Sequence, residues 1–118
     1  MSKPGRSQSV SGQSQWLASG TRLQQRRARR LLRRGEERKA LQLLRESAAR
    51  EPSGPSYCWL AEAMLRSGKR DDALHALRQA LYAFRHESTR GRARTVARWI
   101  LSLDPTDSSA RRVEAKAA

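Results

Sequence analysis

The stretch that decides the fold runs from Ser56 to Phe84, SYCWLAEAMLRSGKRDDALHALRQALYAF. Tyr57, Leu60, Ala61, Met64 and Leu65 recur at i, i+3, i+4, i+7 and i+8, the spacing of one face of a helix. Ser67-Gly68-Lys69 interrupts the pattern, and Ala73, Leu74, Leu77, Ala80, Leu81 and Phe84 resume it. Two amphipathic helices joined by a glycine turn make a hairpin. Neither helix buries its stripe alone, and the pair leaves one apolar face over, so the unit calls for neighbours.

Those neighbours are legible on both sides. Toward the N-terminus, Arg22 to Arg34 carries Leu23, Ala28, Leu31 and Leu32 among dense arginines, and Gly35 ends it. Glu36 and Glu37 fall in the first turn of a second helix, where carboxylates suit the positive end of the dipole. Ala40, Leu41, Leu44, Ser47 and Ala48 form its buried stripe, and it stops before Pro52. Glu51 to Pro55 reads as a turn, with Pro55 as an early residue of the next helix. Ahead of all this, residues 1–15 are Ser, Gln and Gly with Lys3 and Arg6, a composition expected to be a disordered tail. Trp16-Leu17 reads as a staple over the first helix, and Thr21 with Gln24 fits a capping box.

Toward the C-terminus, Arg85 to Gly91 is a polar join. Ala93, Val96, Ala97, Ile100 and Leu101 mark a fifth helix that Asp104-Pro105 stops. Thr106 or Asp107 is a plausible cap for a sixth helix, in which Val113 is the one sizeable apolar residue. The expected organisation is a tail over 1–15, a helical domain over 16–104, and a short or frayed helix over 105–118.

Composition bounds the function. With 118 residues, 37% hydrophobic and 5% aromatic, the chain holds one small domain with a modest core and no room for a large enzyme cleft. Four Lys and 21 Arg against 11 acidic residues give a net charge of +14, and the pI near 11.6 points to an anionic partner. Charge alone leaves nucleic acid and acidic protein both open. The excess of Arg suits bidentate pairing with phosphate or carboxylate, though nucleotide bias in the encoding genome produces the same excess.

Chemistry is sparse. Cys58 is the single cysteine, which excludes an internal disulfide framework and a cysteine-based zinc site and leads us to expect a reducing, cytoplasmic setting. There is no apolar run of the roughly 18 residues that suggests a membrane span, and the N-terminus lacks the apolar core of a secretory signal. His75 and His86 have no carboxylate or thiol at metal-ligand spacing, and Cys58 reads as a filler of core or groove. No nucleophile, base and orienting group can be assembled, so we expect a non-enzymatic protein without cofactor or metal.

The two hairpins are self-similar at an offset of 33 residues: Gly35 falls on Gly68, Ala40 on Ala73, Leu41 on Leu74, Leu44 on Leu77 and Ala48 on Leu81. Glycine at the turn permits a left-handed backbone, and the alanines let paired helices approach closely. This pattern resembles the tetratricopeptide repeat, a family of helix-turn-helix units of about 34 residues. Tyr57, Leu60, Ala61 and Met64 match its first helix; Ala73, Leu77 and Ala80 match its second. Pro52 stands at the closing proline of the first unit. The first unit departs at Gln24 and Arg27, and the second at Arg85. Ala93, Val96, Ala97 and Ile100 fit a further first helix. The resemblance implies an all-α, right-handed α-solenoid of antiparallel helix pairs, five to six helices making about two and a half units.

It also implies that first helices line a concave groove for partner segments. The groove positions are Arg22, Gln25, Arg26, Arg29 and Arg33, then Cys58, Trp59, Glu62 and Arg66, then Arg94, Thr95 and Arg98. Arginine walls with Trp59 on the floor suit an acidic protein or peptide with an apolar anchor. The carboxylate clamp by which some family members hold chaperone tails is missing: Gln25, Arg29, Trp59, Gly91 and Thr95 stand at its positions. From another class, the run from Arg22 to Lys39, with nine basic and two acidic residues, suits a phosphate backbone and makes a nucleic-acid-associated protein the alternative. No recognisable base-reading motif accompanies it. A stack this short has apolar ends, which leaves self-association open.

Overall fold

The computed structural model describes residues 22–86 and 90–117. These residues form six helices and no strand: α1 Arg22–Arg33, α2 Glu37–Arg50, α3 Gly54–Arg66, α4 Arg70–His86, α5 Arg90–Leu103 and α6 Ser108–Ala117. The protein is all-α. Residues 1–15, the Trp16-Leu17 pair and Thr21 lie outside the described residues. No described helix is long and apolar enough to cross a membrane.

Each helix packs chiefly on its neighbours in sequence, α1 on α2, α2 on α3, and so on to α6. One continuous core results. Its largest fully buried members are Phe84, Leu44, Leu77, Leu81, Ile100 and Val96, and all of them sit on the stripes that the spacing marks.

The α1–α2 and α3–α4 turns repeat atom for atom. Gly35 N–H donates to Leu32 C=O at 3.1 Å and Glu36 N–H to Leu31 C=O at 2.9 Å. Gly68 N–H donates to Leu65 C=O at 3.1 Å and Lys69 N–H to Met64 C=O at 2.8 Å. This double bond pattern is the Schellman motif, and the glycines hold its left-handed position at φ 80° and 77°. Glu36 stands at the N-cap position just outside α2, and its carboxylate pairs with Lys39 at 3.1 Å.

Each of the three helix pairs buries an alanine on both of its helices, the third pair without keeping the 33-residue offset. Ala28 and Ala40, Ala61 and Ala73, and Ala97 and Ala110 are all fully buried, one of each pair on the first helix and one on the second. The α5–α6 turn has no glycine and uses an aspartate instead. Thr106 N–H and Oγ1–H both donate to Asp104 Oδ1, and Asp107 Oδ1 accepts from Ala110 N–H at 2.9 Å, which caps α6. Asp107 is thus the cap of the two that the spacing allows, and ten residues of ordered helix come after it. Arg78 on α4 ties this turn down, donating from Nε to Asp107 Oδ2 at 2.6 Å and lying 3.6 Å from Asp104.

Candidate basic recognition surface

Helix α1 carries six arginines in twelve residues and no acid in its first turn. Gln25 and Ala28 are buried and Leu31 and Leu32 half-buried, so these positions define the side that packs inward. At roughly 100° per residue, Arg29, Arg33, Arg26, Arg30, Arg34 and Arg27 then fan around the remaining surface through about 160°. All six are exposed, and none has an acidic partner among the described residues. The Arg22 side chain lies outside the described ones.

One flank of this fan turns toward α3. The Arg29 guanidinium stands over the Trp59 ring, 5.2 Å from its centroid. Trp59 is only 6% exposed, so it is core rather than an open groove floor. Its indole Nε1–H is buried and has no hydrogen-bond partner among the described residues. Gln25 is 4% exposed and likewise faces inward, since it lies one turn before the buried Ala28. Neither side chain offers free surface to a partner in this conformation. Arg26 and Arg33 share the Arg29 side of α1 and remain open.

The remaining groove positions are engaged within the chain. Arg66 donates to the half-buried Glu62 at 3.2 Å, one helical turn away. Arg98 donates from Nε to Glu114 Oε2 at 2.9 Å, and Arg94 lies 3.6 Å from the other Glu114 oxygen. The bond from Arg98 holds the Glu114 carboxyl below its ordinary value, with the charges of Arg98 and Arg94 acting the same way. The α5 wall is therefore partly neutralised, and the unneutralised cations concentrate on α1. Glu114 escapes the reading of the sequence because it lies beyond the fifth helix, and only an antiparallel α5–α6 pair brings it across.

The opposite flank of the fan faces α2. Arg27, Arg30 and Arg34 line an open cleft of about 350 Å³ with Lys39, Gln42 and Glu46, over Leu31 and Leu43. The i, i+3, i+7 spacing of the three arginines is visible in the sequence, although the family resemblance draws attention to the other flank. A second basic cleft of about 710 Å³, lined by Arg85, Arg94, Arg112 and Lys116, opens between α4, α5 and α6.

Cys58 is 1% exposed, and burial, reinforced by the Glu62 charge, pushes its thiol well up despite the opposing charge of Arg92. A thiol of that kind is a core filler and not a nucleophile. Among the described residues no cluster of His, Cys, Asp and Glu is arranged to hold a metal ion. No family model matches the chain, and no curated protein or solved structure matches it. Fold and surface together define an all-helical protein with a basic first helix.

Proposed function

We propose that the protein is a non-catalytic scaffold of the tetratricopeptide-like kind, three helix pairs in a right-handed stack, that binds an acidic segment of another protein along the α1–α3 face. The identical glycine turns and the buried alanines on each helix pair support the stacked reading. In this reading α6 completes a third unit, with Ala97 and Ala110 buried on its two helices.

The observation that carries the binding proposal is Arg29 over Trp59. An exposed guanidinium resting on a buried indole marks a place where a cation is held ready beside an apolar body, and Arg26 and Arg33 flank it without acidic partners among the described residues. An incoming carboxylate would pair with these forks. An apolar residue of the same segment would take up the ring surface that Arg29 now covers, which supplies the contact energy that charge alone does not.

The test uses short fluorescein-labelled Glu/Asp-rich peptides, with and without one central Leu or Phe, titrated with the full chain. The anchored peptide should bind more tightly than the unanchored one. The triple variant R26E/R29E/R33E should lose binding while keeping its helical circular dichroism. Equal affinity of the triple variant and the parent chain contradicts the proposal.

A further inference from the structure

We propose that the α1–α2 edge is a second, independent binding surface, which takes the sugar–phosphate backbone of nucleic acid through Arg27, Arg30 and Arg34. These three arginines face away from Trp59, so the acidic segment on the α1–α3 face leaves them unused. They line the α1–α2 cleft along one edge of the helix, spanning seven residues or about 10 Å of rise. None of the three has an acidic partner among the described residues, whereas Lys39 on the far wall is already paired with Glu36.

Three properties of the cleft favour phosphate over an acidic protein. Four cations against the single carboxylate of Glu46 dominate its lining, and Leu31 and Leu43 form its apolar part without any aromatic residue to seat a protein anchor. A duplex carries one negative charge per about 1.7 Å of axis, which meets closely spaced guanidinium forks without needing a pocket. The one amide on the wall, Gln42, is engaged with Glu46 at 3.3 Å, which leaves the arginines as the groups that meet the nucleic acid, and their forks pair with phosphate oxygens in any sequence. Binding here is therefore independent of sequence.

Fluorescence anisotropy of the full chain with a labelled mixed-sequence duplex, over a series of salt concentrations, tests this. The parent chain should bind with a linear fall of log K against log salt. R27Q/R30Q/R34Q should flatten that slope by about 2.7, at about 0.9 for each phosphate that is no longer neutralised, and weaken all sequences alike. R26Q/R29Q/R33Q should change the slope less. A flat titration of the parent, or an unchanged slope in R27Q/R30Q/R34Q with helical circular dichroism intact, overturns the proposal. Loss of the acidic peptide rather than the duplex in R27Q/R30Q/R34Q also overturns it and assigns the edge to a protein. The peptide assay on the α1–α3 face stands or falls separately.

Discussion

Gly54 opens α3 against the middle of the core, and a Cβ built on it would clash with the Phe84 ring. Phe84 is fully buried and has nowhere to move. The residue is glycine for close approach between α3 and α4 and not for its dihedral freedom. Gly54→Ala should therefore destabilise the fold by about 1–3 kcal/mol, the usual cost of overpacking a filled core. A denaturant midpoint equal to that of the parent chain counts against this packing. Arg29 and Trp59 teach the complementary lesson at the same scale. Spacing places Trp59 on the first-helix face of its unit, but a helical period says nothing about what covers that face. The covering group sits 30 residues earlier in the chain, on another helix.

Single elements carry the electrostatics. Within α1 and the residue after it, Arg26–Arg29, Arg26–Arg30, Arg27–Arg30, Arg29–Arg33, Arg30–Arg33 and Arg30–Arg34 are like charges three or four positions apart. Each such pair is unfavourable by about 0.2–0.5 kcal/mol in an isolated helix. Salt screens this repulsion, so raising sodium chloride from about 50 to about 500 mM should raise the melting temperature. A fall in melting temperature would mean that ion pairs elsewhere dominate. At the other end of the molecule, burial pushes the Asp107 carboxyl up, yet the bonds from Ala110 and Arg78 outweigh it and hold the group below its ordinary value of 3.8. A carboxylate with a depressed folded value stabilises fully above its unfolded value and loses that contribution as pH falls through the folded one. Unfolding by urea should thus become easier as pH drops below about 4, and Asp107→Ala should shrink that acid loss. An acid loss as steep in the variant as in the parent contradicts the assignment. The turns at Gly35 and Gly68 are fully legible in the sequence, because glycine after an apolar stripe has few uses. The Arg78–Asp107 tie is not, since it joins residues on separate units and depends on how α4 and α5 pack.

At the scale of the whole molecule, the stripes of apolar residues, the 33-residue offset and the six helices all follow from local spacing. Residues 105–118 show the limit of that reasoning: low apolar content suggests a short or frayed helix, and spacing does not show what holds the ten-residue α6, namely the bonds from Arg78 at its capping turn and the pairing of Glu114 with α5. The distribution of charge changes most. Two basic walls are expected from the groove positions, but Glu114 draws Arg94 and Arg98 into the fold and leaves α1 as the dominant cationic surface. In the proposed account α1 has two working sides, one toward α3 for an acidic segment and one along α2 for phosphate.

In the proposed function an acidic segment engages the α1–α3 face at Arg29 and Trp59. The indole N–H of Trp59 reports on this most directly, being buried, without a partner among the described residues, and beneath the guanidinium that a carboxylate would engage. In a nitrogen-correlated NMR spectrum the three tryptophans give three indole resonances, which Trp→Phe variants at positions 16, 59 and 99 assign. Titration with the anchored acidic peptide should shift the Trp59 resonance progressively to saturation while R26E/R29E/R33E shows no shift. Saturable peptide binding that leaves the Trp59 resonance unmoved contradicts the account.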